Sequence, residues 1–222
     1  MTPVPPARPS SFRKYQPLVL RAWHWLDALA ILGLLGTVLL RKTFLSWRTN
    51  AAFIQGELEQ SGTPVSPEVA KAIAVGLRDR MWEWHYIFGF TLAGLLVVRA
   101  LIAIFLPNER PGAAVARAVR AVAAATPGRK LDAAHFAAVK ATYVLFYLSV
   151  LFMACTGLLM YFEASLGLAP TLVESMKELH ELGLWLILVF AAGHVLGVVT
   201  AEHRGAAGLV SDMIQGGEKS PD

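Results

Sequence analysis

The sequence predicts an all-α membrane protein, a bundle of four transmembrane helices. Three observations carry that prediction: 55% of the residues are hydrophobic, only 16% are charged, and the apolar residues gather in four long runs. A soluble domain holds about 45–50% apolar and about 25% charged residues, so lipid is this chain's main solvent. The runs are 18–40, 84–106, 136–162 and 173–201, and each reaches the roughly 20 residues needed to cross a bilayer. Pro17, Arg41, Pro107, Gly112, Pro170 and Glu202 bound them. Tyr15, Trp23, Trp25, Trp47, Trp82, Trp84, Tyr86 and Tyr161 cluster at their ends, as expected of rings anchored at the headgroups.

The first run follows a proline-rich start that carries Arg8, Arg13 and Lys14. It is too long for a signal-peptide core and has no small-residue cleavage site before Arg41 and Lys42, so it is expected to stay as an anchor. No lipidation signal is visible. Four spans put both termini on one side. With the N-terminus inside, eleven basic residues fall inside: Arg8, Arg13, Lys14, Arg21, Arg110, Arg117, Arg120, Arg129, Lys130, Arg204 and Lys219. Seven fall outside: Arg41, Lys42, Arg48, Lys71, Arg78, Arg80 and Lys177. The excess predicts cytoplasmic termini. Residues 1–205 then form the membrane domain and 206–222 a cytoplasmic tail.

The outer connection, 41–83, is long, and long loops are more often functional than accidental. Within it Ser66-Pro67-Glu68 is a good helix start, with a cap, a first-turn proline and an acid at the positive dipole end. Val69, Ile73 and Leu77 then give one apolar stripe, predicting a short amphipathic helix over 67–80 on the membrane surface or against a partner. The inner connection, 107–135, holds an Ala/Arg-rich stretch, 113–125, that also reads as a surface helix. No internal repeat is visible. The lone cysteine, Cys155, excludes disulfides and multi-cysteine zinc or iron–sulfur sites. It reads as a small buried hydrophobe. The net charge of +4 is modest, and no nucleic-acid partner is expected.

Four of six histidines lie inside the runs: His24, His85, His180 and His194. Ionisable groups at membrane depth are costly and default to function. His24 lies near the inner end of the first span, and His85 at the outer start of the second. His180 and His194 lie near the outer and inner ends of the fourth. Fourteen residues separate that pair, a rise of about 21 Å that returns to within about 40° of the same helix face. His24 therefore matches His194 in depth, and His85 matches His180. Two cross-helix imidazole pairs suit two haems with six-coordinate iron. Zinc or copper would need three or four ligands converging on one ion, and no H-E-x-x-H pattern occurs.

The surroundings carry further expectations. A porphyrin is wide and flat, so Gly89, Gly183, Gly193 and Gly197 read as room beside it, or as small-residue helix contacts. Arg99 lies fourteen residues after His85, at the depth of the inner pair, and Arg21 precedes His24 by three. Both are candidates to meet haem propionates there, as Arg80 and Lys177 are outside; snorkelling to headgroups is the alternative. Asp27 lies one turn beyond His24, as an acceptor for a ligand N–H, a proton-path residue or a partner of Arg21. Asp27, His135, Lys140, Tyr143 and His203 are candidate quinone neighbours, although His135 and His203 read more simply as interfacial.

The chain resembles the bacterial di-haem cytochrome b family (cytochrome b561 type), which includes the membrane subunits of nickel–iron hydrogenases and related formate dehydrogenases. The resemblance rests on Arg21-Ala22-Trp23-His24-Trp25-Leu26-Asp27-Ala28, Trp84-His85-Tyr86-Ile87-Phe88-Gly89 and Thr156-Gly157-Leu158-Leu159-Met160. It rests also on His180-Glu181-Leu182-Gly183 with Trp185 and His194. A weaker match, Gly208 to Gly216, points to the hydrogenase-type branch. The resemblance implies a four-helix bundle in the bacterial inner membrane, two non-covalent haems b, and electron flow between a partner and quinone. It implies His24, His85, His180 and His194 as the axial iron ligands. The partner expected is a periplasmic iron–sulfur or c-type haem protein. Some relatives work alone, and Arg78, Arg80 and Lys177 would offer an anion such as superoxide a basic funnel to the outer haem. A transporter or structural anchor would bind no haem.

Overall fold

The computed structural model describes residues 16–107, 110–203 and 208–217. Arg8, Arg13, Lys14, Tyr15, Arg204 and Lys219, which bear on orientation and anchoring, lie outside them. The described residues form helices and no strand. In order these are α1 (Leu18–Lys42), α2 (Trp47–Gln60), α3 (Pro67–Phe105), α4 (Pro111–Ala124), a 3-10 turn (Pro127–Arg129), α5 (Lys130–Tyr161), α6 (Glu163–Leu166), α7 (Pro170–His203) and α8 (Leu209–Gln215). Four helical stretches are long and apolar enough to cross a membrane: Leu18–Lys42, Pro67–Phe105, Pro127–Tyr161 and Pro170–His203. These are the four runs of the sequence, as a helical membrane bundle requires. Much of their apolar surface faces outward, with Leu29, Leu32, Val97, Leu145, Val189 and Leu196 all more than half exposed. That is the surface lipid covers.

Local chemistry sets the helix ends. At the start of α1 the amides of Leu20 and Arg21 bond the Pro17 carbonyl, and Arg41 and Lys42 complete its last turn on the negative end of the dipole. The Ser66-Pro67-Glu68 start is used: the Val69 amide reaches the Ser66 hydroxyl at 3.4 Å and the Ala70 amide the Ser66 carbonyl at 3.1 Å. The surface helix expected over 113–125 is α4, opened by Pro111.

Four expectations need correction. The stretch 67–80 is no separate surface helix but the beginning of α3, which runs unbroken for 39 residues. At 1.5 Å per residue that is about 58 Å, nearly twice the roughly 30 Å hydrocarbon core. Within 67–80 the buried residues are Ala70 and Ala74, whereas Val69, Ile73 and Leu77 stay exposed. Second, Cys155 is exposed rather than buried. Third, Trp23 is no interfacial anchor; only 7% of it is exposed. Fourth, residues after 205 are not simply a tail, because α8 folds back onto the start of α1. Helix α2 holds no buried residue; Trp47, Ala51, Ile54 and Leu58 give it a short, half-buried apolar stripe inside the long connection.

The chain divides into two units. One comprises Met1–Trp25, Arg99–Met153 and Glu178–Asp222; the other comprises Leu26–Val98 and Ala154–Lys177. Each of the four long helices contributes a stretch to both. In the second unit α1 and α3 approach closely at Gly33, where a Cβ would stand 2.7 Å from the Phe88 ring. Tyr86, Phe90, Tyr161 and Phe162 form an edge-to-face aromatic cluster there, with centroids 4.9–6.3 Å apart, a geometry worth about 0.5–1.5 kcal/mol per pair. The Arg41 guanidinium lies over Trp82 at 4.6 Å, and the Lys71 ammonium over Trp47 at 4.9 Å. In the first unit Gly183 of α7 gives its space to the Met153 side chain of α5. Val150, Ile102, Ala118 and Ile187 are buried with them.

The close approach at Gly33 makes a paired prediction. Gly33→Ala should lower the detergent-solubilised protein's thermal stability by about 1–3 kcal/mol through overpacking. Gly36→Ala, one turn away with nothing within 4 Å, should be neutral or gain up to about 1 kcal/mol from helix propensity. A thermal melt of both variants checks the difference.

Candidate functional site

In the first unit α1 and α7 bring His24 and His194 together. Their ring centres stand 6.2 Å apart, with planes crossed at 69°. Two imidazoles that share one iron need roughly that separation, since each metal–nitrogen bond is about 2 Å and each ring centre lies about 1 Å behind its nitrogen. The donors are neutral nitrogens on facing helices, the chemistry a haem iron asks for. Beside them, an added Cβ at Gly193 or Gly197 would meet nothing within 4 Å, and the same holds for Gly89 near His85. At those three glycines the helix surface offers open room. At Gly183 it does not, since Met153 fills the space. Among the described residues no cluster of three or more His, Cys, Asp or Glu stands ready for a metal ion.

Aromatic rings hold His194. Phe190, one turn earlier on α7, stacks on it at 5.8 Å with planes 7° apart, and Phe146 of α5 stacks on Phe190 at 4.1 Å. Tyr143 meets His194 edge-on at 6.1 Å. The Lys140 ammonium lies over the Tyr143 ring at 5.4 Å and the Phe136 ring at 5.1 Å. Two of the candidate quinone neighbours, Lys140 and Tyr143, are thus adjacent, and Tyr143 borders His194. Among the described residues, His135 and His203 show no contact of that kind.

The turn that carries His24 is pinned on both sides. Trp23 packs on Tyr147 at 6.0 Å. The buried Arg99 guanidinium lies 5.6 Å from Trp23 and 5.2 Å from Tyr147, and its Nε donates to the Tyr147 hydroxyl at 3.2 Å. On the other side Trp25 Nε1 donates to the Met213 carbonyl of α8 at 3.2 Å. Arg21 donates to the Ile214 carbonyl through Nη1, and the Gln16 amide bonds the Gly216 carbonyl at 2.9 Å. Glu202 at the end of α7 holds the entry to α8, accepting from the Gly208 amide at 2.7 Å and the Val210 amide at 3.3 Å. Arg21 Nε is buried without a hydrogen-bond partner, which suits a residue expected to meet a propionate. Sequence reasoning singled out Arg21 and Arg99 but missed Tyr147 and Phe190, which carry no charge or motif of their own, and took the Gly208–Gly216 match for a tail rather than the helix α8.

In the second unit, Thr37 and His85 meet: Thr37 Oγ1 lies 2.9 Å from His85 Nδ1. Trp82 stands edge-on to the His85 ring at 5.2 Å. Asp27 is buried, and its Oδ1 has no hydrogen-bond partner. Two residues of the expected basic funnel have acidic partners on their own helices. Arg78 pairs with Asp79 at 2.8 Å and Lys177 with Glu174 at 3.2 Å, while Arg80 is exposed. His180, half-buried on α7, belongs to the first unit and His85 to the second.

Comparison with known proteins adds family evidence. The family model for prokaryotic cytochrome b561 matches residues 15–216. A curated relative from Cupriavidus necator, described as a probable Ni/Fe-hydrogenase B-type cytochrome subunit, is 28% identical over 213 residues, covering 88% of this chain and 82% of its own length. No solved structure matches.

The clamp around Trp23 is open to test. Tyr147→Phe removes the acceptor for a buried guanidinium and should cost about 1.5–3 kcal/mol, the range for hydrogen bonds to charged groups. Phe146→Tyr, which leaves the Arg99 bond intact, serves as the control in the same thermal melt.

Proposed function

The chain belongs to the prokaryotic cytochrome b561 family, and we propose that it carries two haems b and passes electrons between a partner redox protein and quinone. Family and relative together make it a membrane b-type cytochrome of electron transfer. Family and helices point to a prokaryotic inner membrane. The two-haem arrangement, the partner and the quinone are what we propose beyond that. The observation that carries the proposal is the 6.2 Å between His24 and His194.

His24 and His194 would hold one haem through their imidazole nitrogens. His85 and His180 are assigned to the other, on the matching depth that helix rise gives them in the sequence. When bound, the haems supply the one-electron steps. The protein's own residues position and tune. Phe190, itself backed by Phe146, stacks on the His194 ring and holds it. Arg21 offers a buried Nε–H to a propionate, and Arg99 a fixed positive charge beside the same turn of α1. Quinone reduction takes up protons with the electrons, so it needs polar side chains near one ligand pair. Lys140 and Tyr143 are assigned that role at His194, and buried Asp27 is assigned to hold a proton on its way in. Both termini lie on the cytoplasmic side in this reading. The named relative is a hydrogenase cytochrome subunit, so the partner class is a periplasmic redox enzyme that delivers electrons through an iron–sulfur or c-type haem protein.

Two experiments check the reading. Haem content per purified chain should be two, falling to one in His24→Ala and in His194→Ala, with the same spectral component lost in both. His180→Ala should lose the other component, and His203→Ala should keep both; loss of different components from His24→Ala and His194→Ala would refute the pairing. In the second experiment, Asp27→Asn should slow reoxidation of the reduced protein by quinone by roughly a hundredfold, the lower range for a general acid–base group, at unchanged haem content.

A further inference from the structure

A ligand imidazole must be held in one tautomer, with one nitrogen facing the metal and the other bonded to a fixed group. At His85 the structure shows what that group is. Thr37 of α1 lies 2.9 Å from His85 Nδ1 and 2.7 Å from the Leu34 carbonyl of its own helix. A threonine hydroxyl has one proton. A carbonyl only accepts, so the Leu34 contact takes that proton, as is common for threonine inside a helix. The hydroxyl oxygen is then left to accept, and His85 Nδ1 must donate. A neutral His85 that donates from Nδ1 carries its lone pair on Nε2.

The neighbours make this contact a fixture rather than a passing one. Thr37 is buried, 6% exposed. One turn before it, Gly33 admits the Phe88 ring so closely that any Cβ would clash at 2.7 Å. Phe88 is one turn beyond His85. The two contacts, Gly33 with Phe88 and Thr37 with His85, lock α1 and α3 in one register. Trp82, edge-on to the His85 ring at 5.2 Å, confines it from the preceding turn. We propose that Thr37 is a positioning residue for His85, fixing its Nδ1–H tautomer and tuning the metal through it. This rests on the assignment of His85 as an axial ligand. A hydrogen bond accepted from Nδ1–H raises the electron donation of the imidazole and stabilises the oxidised metal. Thr37 therefore lowers the reduction potential of the haem that His85 serves, without touching it.

The test is a redox titration of the intact, haem-loaded protein. Thr37→Val keeps the shape and removes the hydroxyl, and Thr37→Ser restores the hydroxyl. Thr37→Ala gives the same deletion without the branched side chain, should the valine variant fail to accumulate. His85→Ala marks which haem is concerned. The expected result is an upward shift in the midpoint potential of one haem in Thr37→Val and Thr37→Ala, with Thr37→Ser close to the parent. The shifted component should be the one that His85→Ala loses, and the other haem should titrate as before. Unchanged potentials in the valine and alanine variants, or an equal shift in the serine variant, would overturn the role of Thr37 while leaving ligation by His85 intact. Retention of both haems in His85→Ala would overturn the ligand assignment itself, and the role of Thr37 with it.

Discussion

Hydrocarbon leaves a membrane-spanning helix no freedom to present its backbone, because every amide must bond within the helix. Chemistry can come only from side chains set at chosen rungs. The meeting of His24 and His194 from α1 and α7 at 6.2 Å is such a setting, and the proposed electron transfer rests on it. Much of the first unit serves to keep those two rungs in place. Rings stack on one imidazole, and two tryptophans flank the other, each fastened to a different element. Neither histidine could slide by one residue without turning through 100° and leaving its partner.

The other histidine of known setting, His85, is held by different means. Aromatic packing confines His194, whereas a single hydroxyl orients His85. Packing fixes where a ring sits but says little about which nitrogen bears the proton; a hydrogen bond settles both. The proposed pair of haems would call for potentials that differ in a controlled way. Dissimilar support at otherwise identical ligands is one route to that difference, because the hydrogen bond on the distal nitrogen sets how strongly an imidazole donates.

The sequence revealed the long helices because twenty apolar residues have few other uses, and it revealed Ser66-Pro67-Glu68 because capping is local. It also brought His24 and His194 to one level, since helix rise converts residue number into depth. It failed where the decisive fact was tertiary. Nothing in Trp23 told that it would be buried beneath Arg99 and Tyr147 rather than float at the headgroups. The short apolar stripe of α2, Trp47, Ala51, Ile54 and Leu58, is diluted by the polar residues around it. The junction at Arg80–Trp84, rich in charge and tryptophan, looked like a boundary, yet the helix continues because none of those residues breaks it. Gly183 was read as room for a cofactor but accommodates Met153, and only a partner helix could have told the two apart. Thr37 lay unnoticed in an apolar run, since a lone threonine there ordinarily bonds its own helix, as this one also does.

The return of α8 to the beginning of α1 carries a consequence for biosynthesis. Gln16, Arg21 and Trp25 find hydrogen-bond partners on residues 213–216, which are translated only after all four long helices. At about 5–20 residues per second, the first helix waits on the order of ten seconds or more between leaving the ribosome and meeting them. Throughout that interval the turn bearing His24 lacks one of its two fastenings. Nascent chains cut short by stalling would therefore hold all four membrane segments and still present a loosened cradle. Synthesis of α8, rather than insertion of the last long helix, becomes the natural moment for this half of the protein to accept the cofactor proposed for it.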